Sequence, residues 1–145
     1  SDVYKRQICN TFKTEILKAV HNFTASSGNT FNLALYTSSA TLNKSTTAYT
    51  TSNEVATATG YTAKGKALTS ITPVLSSDTA VCDFANVSWT SASFTARGCL
   101  IFNDTASGDP AVCAIDFGGD KTVTSGTFTI EFPAASAGTA IIGIA

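Results

Sequence analysis

The chain has 145 residues and a mass of 15.0 kDa, carries a formal net charge of −1, and is 43% hydrophobic but only 13% charged. That length holds one domain with a core of its own, and the hydrophobic share excludes disorder driven by charge. Without a basic field there is nothing to attract phosphate backbones, so no nucleic-acid partner is expected, and no apolar run approaches the 18 residues that a membrane helix needs.

The first residues, SDVYKRQ, fit nothing that follows, and the string resembles a translated sequencing adapter of the kind found at the ends of assembled environmental contigs. Residues 1–9 are therefore expected to be a disordered or non-native leader, and 10–145 a single β-sandwich domain. No signal-peptide pattern is read here, because Lys5-Arg6 leads into a charged helical pattern rather than an apolar run.

Over 10–24 the apolar residues Phe12, Ile16, Leu17, Val20 and Phe23 form one stripe at helical spacing. Asn10 or Thr11 can cap this helix, Glu15 lies near its first turn, and Ser26-Ser27-Gly28-Asn29 ends it. Residues 30–37 alternate with period two, placing Phe31, Leu33 and Leu35 on one face and Asn32, Ala34 and Tyr36 on the other. Residues 38–60 are polar and aperiodic, an excursion loop with at most a short strand around 48–50; its length points to intersubunit contact.

Strands are then expected at 66–75, 80–84, 87–90, 93–102, 111–117, 122–132 and 139–145, divided by Ser, Gly, Asp and Pro turns that include a hairpin turn at Gly118-Gly119-Asp120. The expected fold is mostly β: a single antiparallel β-sandwich, jelly-roll-like, with one N-terminal α-helix. Phe84, Trp89, Phe94, Phe102, Phe117, Phe128 and Phe132 would supply much of its core.

Motifs for chemistry are sparse. The one histidine, His21, falls on the expected helix with no nucleophile turn nearby, and reads as a solvated or partly packed residue. Asp104, Asp109, Asp116 and Asp120 cluster in sequence, but carboxylates in turns usually bond to backbone; Asn103, Asp104 and Asp109 amount to half a calcium site. Cys9, Cys82, Cys99 and Cys113 lack metal-ligand spacing and read as reduced core thiols, with a disulfide between two strands left open. Asn-x-Ser/Thr triplets at Asn22, Asn43, Asn86 and Asn103 read as chance in a chain rich in hydroxyls. Tyr36, Tyr49 and Tyr61, if exposed, could stack on sugars, which keeps a carbohydrate-binding module as an alternative.

The segments FKTEILKAVHNF, FNLALYTSSATL, TTAYTTSNEV, GYTAKGKAL, VCDFANVSWTSASFTARGCLIFN and AIDFGGDKTVTSGTFTIEFP together resemble a group of small proteins of tailed phages and prophages, often encoded among virion structural genes. The resemblance runs over most of 12–145 and carries no catalytic motif. It implies a non-catalytic virion protein with no cofactor, metal or catalytic residue, assembled in the host cytoplasm. Its expected partners are other copies of itself and the major capsid protein or another virion protein. A chain this small suits a capsid decoration or cement subunit, with a tail or fibre-associated subunit as the alternative in the same class.

Overall fold

The computed structural model describes residues 5–58 and 60–145. Its strands are β1 (Lys5–Ile8), β2 (Phe31–Tyr36), β3 (Lys66–Ala67), β4 (Ser70–Ser76), β5 (Thr79–Phe84), β6 (Val87–Asn103), β7 (Ala111–Ile130) and β8 (Ile142–Ile144), with one helix, α1 (Asn10–Leu17). They form two antiparallel sheets, five strands in the order β1-β7-β6-β2-β3 and three in the order β4-β5-β8. The protein is thus mostly β and sandwich-like, with one short N-terminal helix.

The long β6–β7 hairpin is the spine. Near its loop, β2 and β1 flank it; beyond that, residues 87–96 and 121–130 continue as a two-stranded ribbon. Sequence reading divides each strand in two, at 91–92 and at 118–121, whereas both run on through register shifts. Gly118-Gly119-Asp120 is consequently a bend within β7 rather than a hairpin turn, with Gly118 at φ +80°. Gly98 lies beside one of these irregularities, where a Cβ would meet the Ile115 carbonyl oxygen at 2.5 Å, so only glycine lets the strands close there.

On one face of the large sheet Phe31 stacks on Phe23 at 4.2 Å, and Phe84 of the small sheet lies against both rings. Phe12 from α1 joins Phe23 edge-on at 6.0 Å. The ribbon adds Trp89, Phe94 and Phe128, with Phe117 of β7 against Phe128 and Tyr61 meeting Trp89 and Phe94. The second face of β2 is covered as well. Residues from 38–64 fold back over it, so all six β2 residues are buried, including Asn32, Ala34 and Tyr36.

Two expectations at the N-terminal end are corrected. Within the leader read at 1–9, residues 5–8 form β1, paired with β7 from Lys5↔Asp116 to Ile8↔Cys113, and the Cys9 N–H donates to the Val112 carbonyl at 3.0 Å; residues 1–4 lie outside the described residues. Lys5, Arg6 and Gln7 are exposed, and the strand draws on main-chain pairing at an otherwise open sheet edge, to which the Arg6 guanidinium adds a bond to the Ala140 carbonyl at 2.8 Å. The helix read at 10–24 stops at Leu17. Ala19 turns left-handed at φ 60°, Val20 N–H bonds to the Glu15 carbonyl and Ala19 N–H to the Ile16 carbonyl, which is a Schellman ending without its usual glycine. Beyond it Asn22 and Asn29 exchange bonds, Asn22 N–H to Asn29 Oδ1 and Asn29 N–H to the Asn22 carbonyl, both 2.8 Å, and these hold the chain in a loop. At the other end Cys9 occupies the N-cap position with no side-chain cap, and Glu15 sits in the last turn rather than the first.

Candidate functional site

The polar groups singled out from sequence have partners within the chain, some in the core and some at the surface. His21 is buried, off the helix, and packed among Phe12, Phe23 and Phe31. Its Nε2 lies 3.0 Å from Glu15 Oε1 and its Nδ1 3.1 Å from Asn103 Nδ2. An amide nitrogen can only donate, so Nδ1 accepts and Nε2 carries the hydrogen given to the carboxylate. This resembles the base and orienter of a triad, but the position of a nucleophile is filled by the Asn103 amide, so the group orders the core rather than performing acyl chemistry.

Asn103 is fully buried and is the junction of this network. Its Oδ1 accepts the Thr105 and Ala106 N–H groups at 3.0 Å, while Nδ2 faces His21, Asn29 Oδ1 at 3.1 Å and the Val20 carbonyl at 3.5 Å. The Asn103 Oδ1 is thus already taken up by two N–H groups. Asp104 and Asp109, the other two ligands of the calcium reading, each lie 2.9 Å from the Lys64 ammonium, which supplies the positive charge there. The two carboxylates push the Lys64 ammonium up, Asp104 more than Asp109. Among the described residues no group of three or more His, Cys, Asp or Glu is placed to hold a metal ion.

The other two acids pair with Arg97, Asp116 at 3.3 Å and Asp120 at 3.9 Å. The Gly118 N–H, at 2.8 Å, and then Arg97 hold the Asp116 carboxyl below its ordinary range. Four acids close in sequence therefore resolve into two cation-centred groups, Asp104 and Asp109 on Lys64, Asp116 and Asp120 on Arg97.

Tyr36 and Tyr61 are buried and Tyr49 is half-buried, so they offer no open platform to a sugar. The Glu54 carboxylate, which sequence reading passed over, gathers two of them. It accepts Tyr49 OH at 2.5 Å, Tyr61 OH at 2.6 Å and the Lys64 N–H at 2.8 Å. Tyr61 OH in turn accepts the buried Leu35 N–H at 2.9 Å, and Tyr36 OH donates to the Thr50 carbonyl at 2.6 Å. Tyr49 stacks on Phe102 with ring centres 4.7 Å apart. Burial, followed by the bond to Glu54, pushes Tyr49 up to about 12, and the same two causes raise Tyr61 further. Residues 38–60 thus have an intramolecular role, since Tyr49, Glu54 and Val55 help to cover the second face of β2, and much of the rest of the segment is exposed. Tyr61→Phe should cost about 2 kcal/mol, because it orphans the Leu35 N–H and removes one donor from Glu54. Urea unfolding reads this directly, and a change under about 0.5 kcal/mol would show that the network is peripheral.

All four cysteines are free thiols, with Cys9, Cys99 and Cys113 fully buried. Cys99 pairs across with Ile115 and Cys113 with Ile101, so the two are diagonal neighbours on one sheet face, roughly 7–8 Å apart at Cα and beyond disulfide reach. Three of the four Asn-x-Ser/Thr triplets are Asx turns: Asn22, Asn43 and Asn103 accept the N–H two residues on, from Thr24, Ser45 and Thr105. Asn86 instead accepts the Phe132 N–H at 3.0 Å.

What remains for contact with other molecules is surface. The outer strand faces carry hydroxyl pairs, Ser88 with Thr129 at 2.8 Å and Thr95 with Thr122 at 2.9 Å. Among the described residues the exposed large apolar side chains are Leu17, Ile71, Val74, Leu75 and Ile144, all on the small sheet or at the end of α1. No helix among the described residues is long and apolar enough to cross a membrane. No family model matches the chain, and no curated protein or solved structure matches it either.

Proposed function

We propose that the protein is a non-catalytic structural subunit of a tailed-phage particle, a decoration or cement subunit that binds copies of itself and the major capsid protein or another virion protein. The observation that carries this reading is where the polar groups point. His21, Asn103 and Glu54 are taken up by the fold and the aspartates are paired with Lys64 and Arg97, while the surface offers hydroxyl pairs and apolar side chains. A weakly charged surface of that kind suits many repeated contacts made by apolar burial and hydroxyl pairing, with little Coulombic energy for salt to screen. The segment resemblance to virion proteins adds the setting.

Particles stripped of the protein test this. Added protein should rebind from low to high salt, approach the copy number of the shell subunit, and raise the temperature at which particles burst. Rebinding confined to low ionic strength, or equal heat resistance without the protein, overturns the cement reading. A copy number far below that of the shell subunit would move the protein to the tail or its fibres.

A further inference from the structure

The turns within 38–60 enclose a cleft of about 390 Å³, with Thr41, Asn43, Ser45, Thr47, Ser52 and Asn53 as its main polar lining and Ala40, Leu42 and Ala48 as its apolar portion. None of the lining residues is charged. Small-molecule sites have volumes of roughly 300–1,000 Å³, and the cleft falls within that range. Its walls are fixed by local bonds. Asn43 Oδ1 accepts the Ser45 N–H at 2.7 Å, Thr46 Oγ1 accepts the Asn43 N–H at 3.0 Å, and Asn53 Nδ2 donates to the Ser39 carbonyl at 3.2 Å. Three carbonyls of the segment then tie it to the rest of the fold: Lys44 accepts the Asn10 N–H of α1 at 2.8 Å, Thr47 the Ala111 N–H of β7 at 2.9 Å, and Thr50 the Tyr36 hydroxyl of β2 at 2.6 Å.

Those bonds decide which groups the cleft has left to offer. Among the described residues Asn43 keeps both Nδ2 hydrogens, Asn53 keeps Oδ1, and the hydroxyls of Thr41, Ser45, Thr47 and Ser52 have no partner within the chain. All six side chains belong to exposed residues. An amide N–H only donates and an amide oxygen only accepts, whereas a hydroxyl does both. The ligand that answers all three carries groups that donate and accept side by side, which is what hydroxyls on neighbouring carbons do. We propose that the cleft binds a neutral saccharide of one or two pyranose rings. The sugar's hydroxyl edge meets the Asn43 and Asn53 amides and the four free hydroxyls, and its C–H face meets Leu42 and the two alanines. A charged ligand finds no opposite charge among the lining residues, and an aliphatic or aromatic one leaves the amides and hydroxyls without partners. Tyr36, Tyr49 and Tyr61 are taken up by the fold, so no aromatic ring stacks beneath the sugar, and each bond to it replaces one to water. Walls already held in place lower the ordering cost, and the expected Kd is on the order of 1–10 mM. The site lies within one chain and is independent of the particle reading.

Amide-shift mapping by NMR on the full chain tests it, with glucose, galactose, N-acetylglucosamine and maltose as probes, each up to about 50 mM. At least one should shift resonances of residues 41–53 along a saturating curve while the hydroxyl-bearing strand faces at 88–95 and 122–129 stay unmoved. Sorbitol, with similar hydroxyls on an open chain, should leave the same resonances in place. Thr41→Val/Ser52→Ala removes two unpartnered hydroxyls, so it should weaken binding roughly tenfold. Both residues are exposed, and the melting temperature of that variant should stay as in wild type. Four sugars without effect on 41–53, shifts of equal size over all exposed Ser and Thr, or affinity unchanged in the double variant each overturn the proposal. Sorbitol binding as well as the sugars, or glucuronate binding at least tenfold tighter than glucose, overturns it in favour of a ligand without a neutral ring.

Discussion

Asn103→Ala should destabilise the protein by about 3 kcal/mol, the largest effect expected of any single polar substitution in the chain. The truncation strands partners on three separate segments at once. Thr105 and Ala106 lose the acceptor for their N–H groups, His21 Nδ1 loses its donor, and Asn29 Oδ1 loses one of two. His21 is buried among aromatic rings, so water cannot replace the missing donor without opening the core. For a domain of this length the loss corresponds to a fall of about 10 °C in melting temperature. His21→Ala should cost a similar amount, and the double variant much less than the sum, because each change already breaks the bond that the other would. If Asn103→Ala cost less than about 1 kcal/mol, the loop at 20–29 would be held by its aromatic contacts and the Asn22–Asn29 bonds instead.

That junction was invisible in the sequence, whereas most of the strands were not. Period-two runs and turn residues located β2, β5 and the outer limits of β6 and β7, although β2 is buried on both faces, and the single strand expected at 66–75 divides into β3 and β4 of different sheets. The same rule failed inside β6 and β7. At 91–92 and 118–121 small residues and glycine allow register shifts, which on paper look like turns. The helical stripe read through Val20 and Phe23 belongs to two structures. Phe12 is buried from the helix, but Phe23 is buried from the loop that follows, where it stacks on Phe31. An i, i+3 pattern does not distinguish these.

Site residues were harder still. Asn103 and His21 are 82 positions apart, and no periodicity signals such a pair. Asn103 was weighed only as part of half a calcium site and read as one of four chance triplets, when its neighbour Thr105 matters through its backbone N–H. Glu54 drew no notice inside a polar stretch, since only the folded chain brings Tyr49 and Tyr61 onto it. One available signal was the run of tyrosines, Tyr36, Tyr49 and Tyr61, around a lone acid in a chain so poor in charge. Tyrosine hydroxyls in a core need acceptors, and Glu54 is the acid at hand.

The second large effect lies at alkaline pH. Burial raises the Cys9 thiol to about 11, with a smaller push from Glu15, raises Cys113 to about 12, and raises Cys99 well above its ordinary value. The unfolded chain ionises these thiols near pH 8.5, so between that value and the folded ones the unfolded state has shed protons that the native state keeps. Stability is then intact below about pH 8.5 and falls as pH rises, since the slope follows the difference in bound protons. Three thiols acting together give a loss of roughly 4 kcal/mol per pH unit, enough to exhaust a typical domain before about pH 11. Tyr49 joins above its ordinary value near 10, steepening the fall. Urea midpoints measured from pH 7 upward should stay level and then collapse past about pH 9. Thiolate absorbance in the ultraviolet should remain silent in the native protein and appear only with unfolding. Thiolate signal growing while the fold stays intact would mean that Cys9, Cys99 and Cys113 are reached by water, and level midpoints up to about pH 11 would mean the same for the sheet face that buries them.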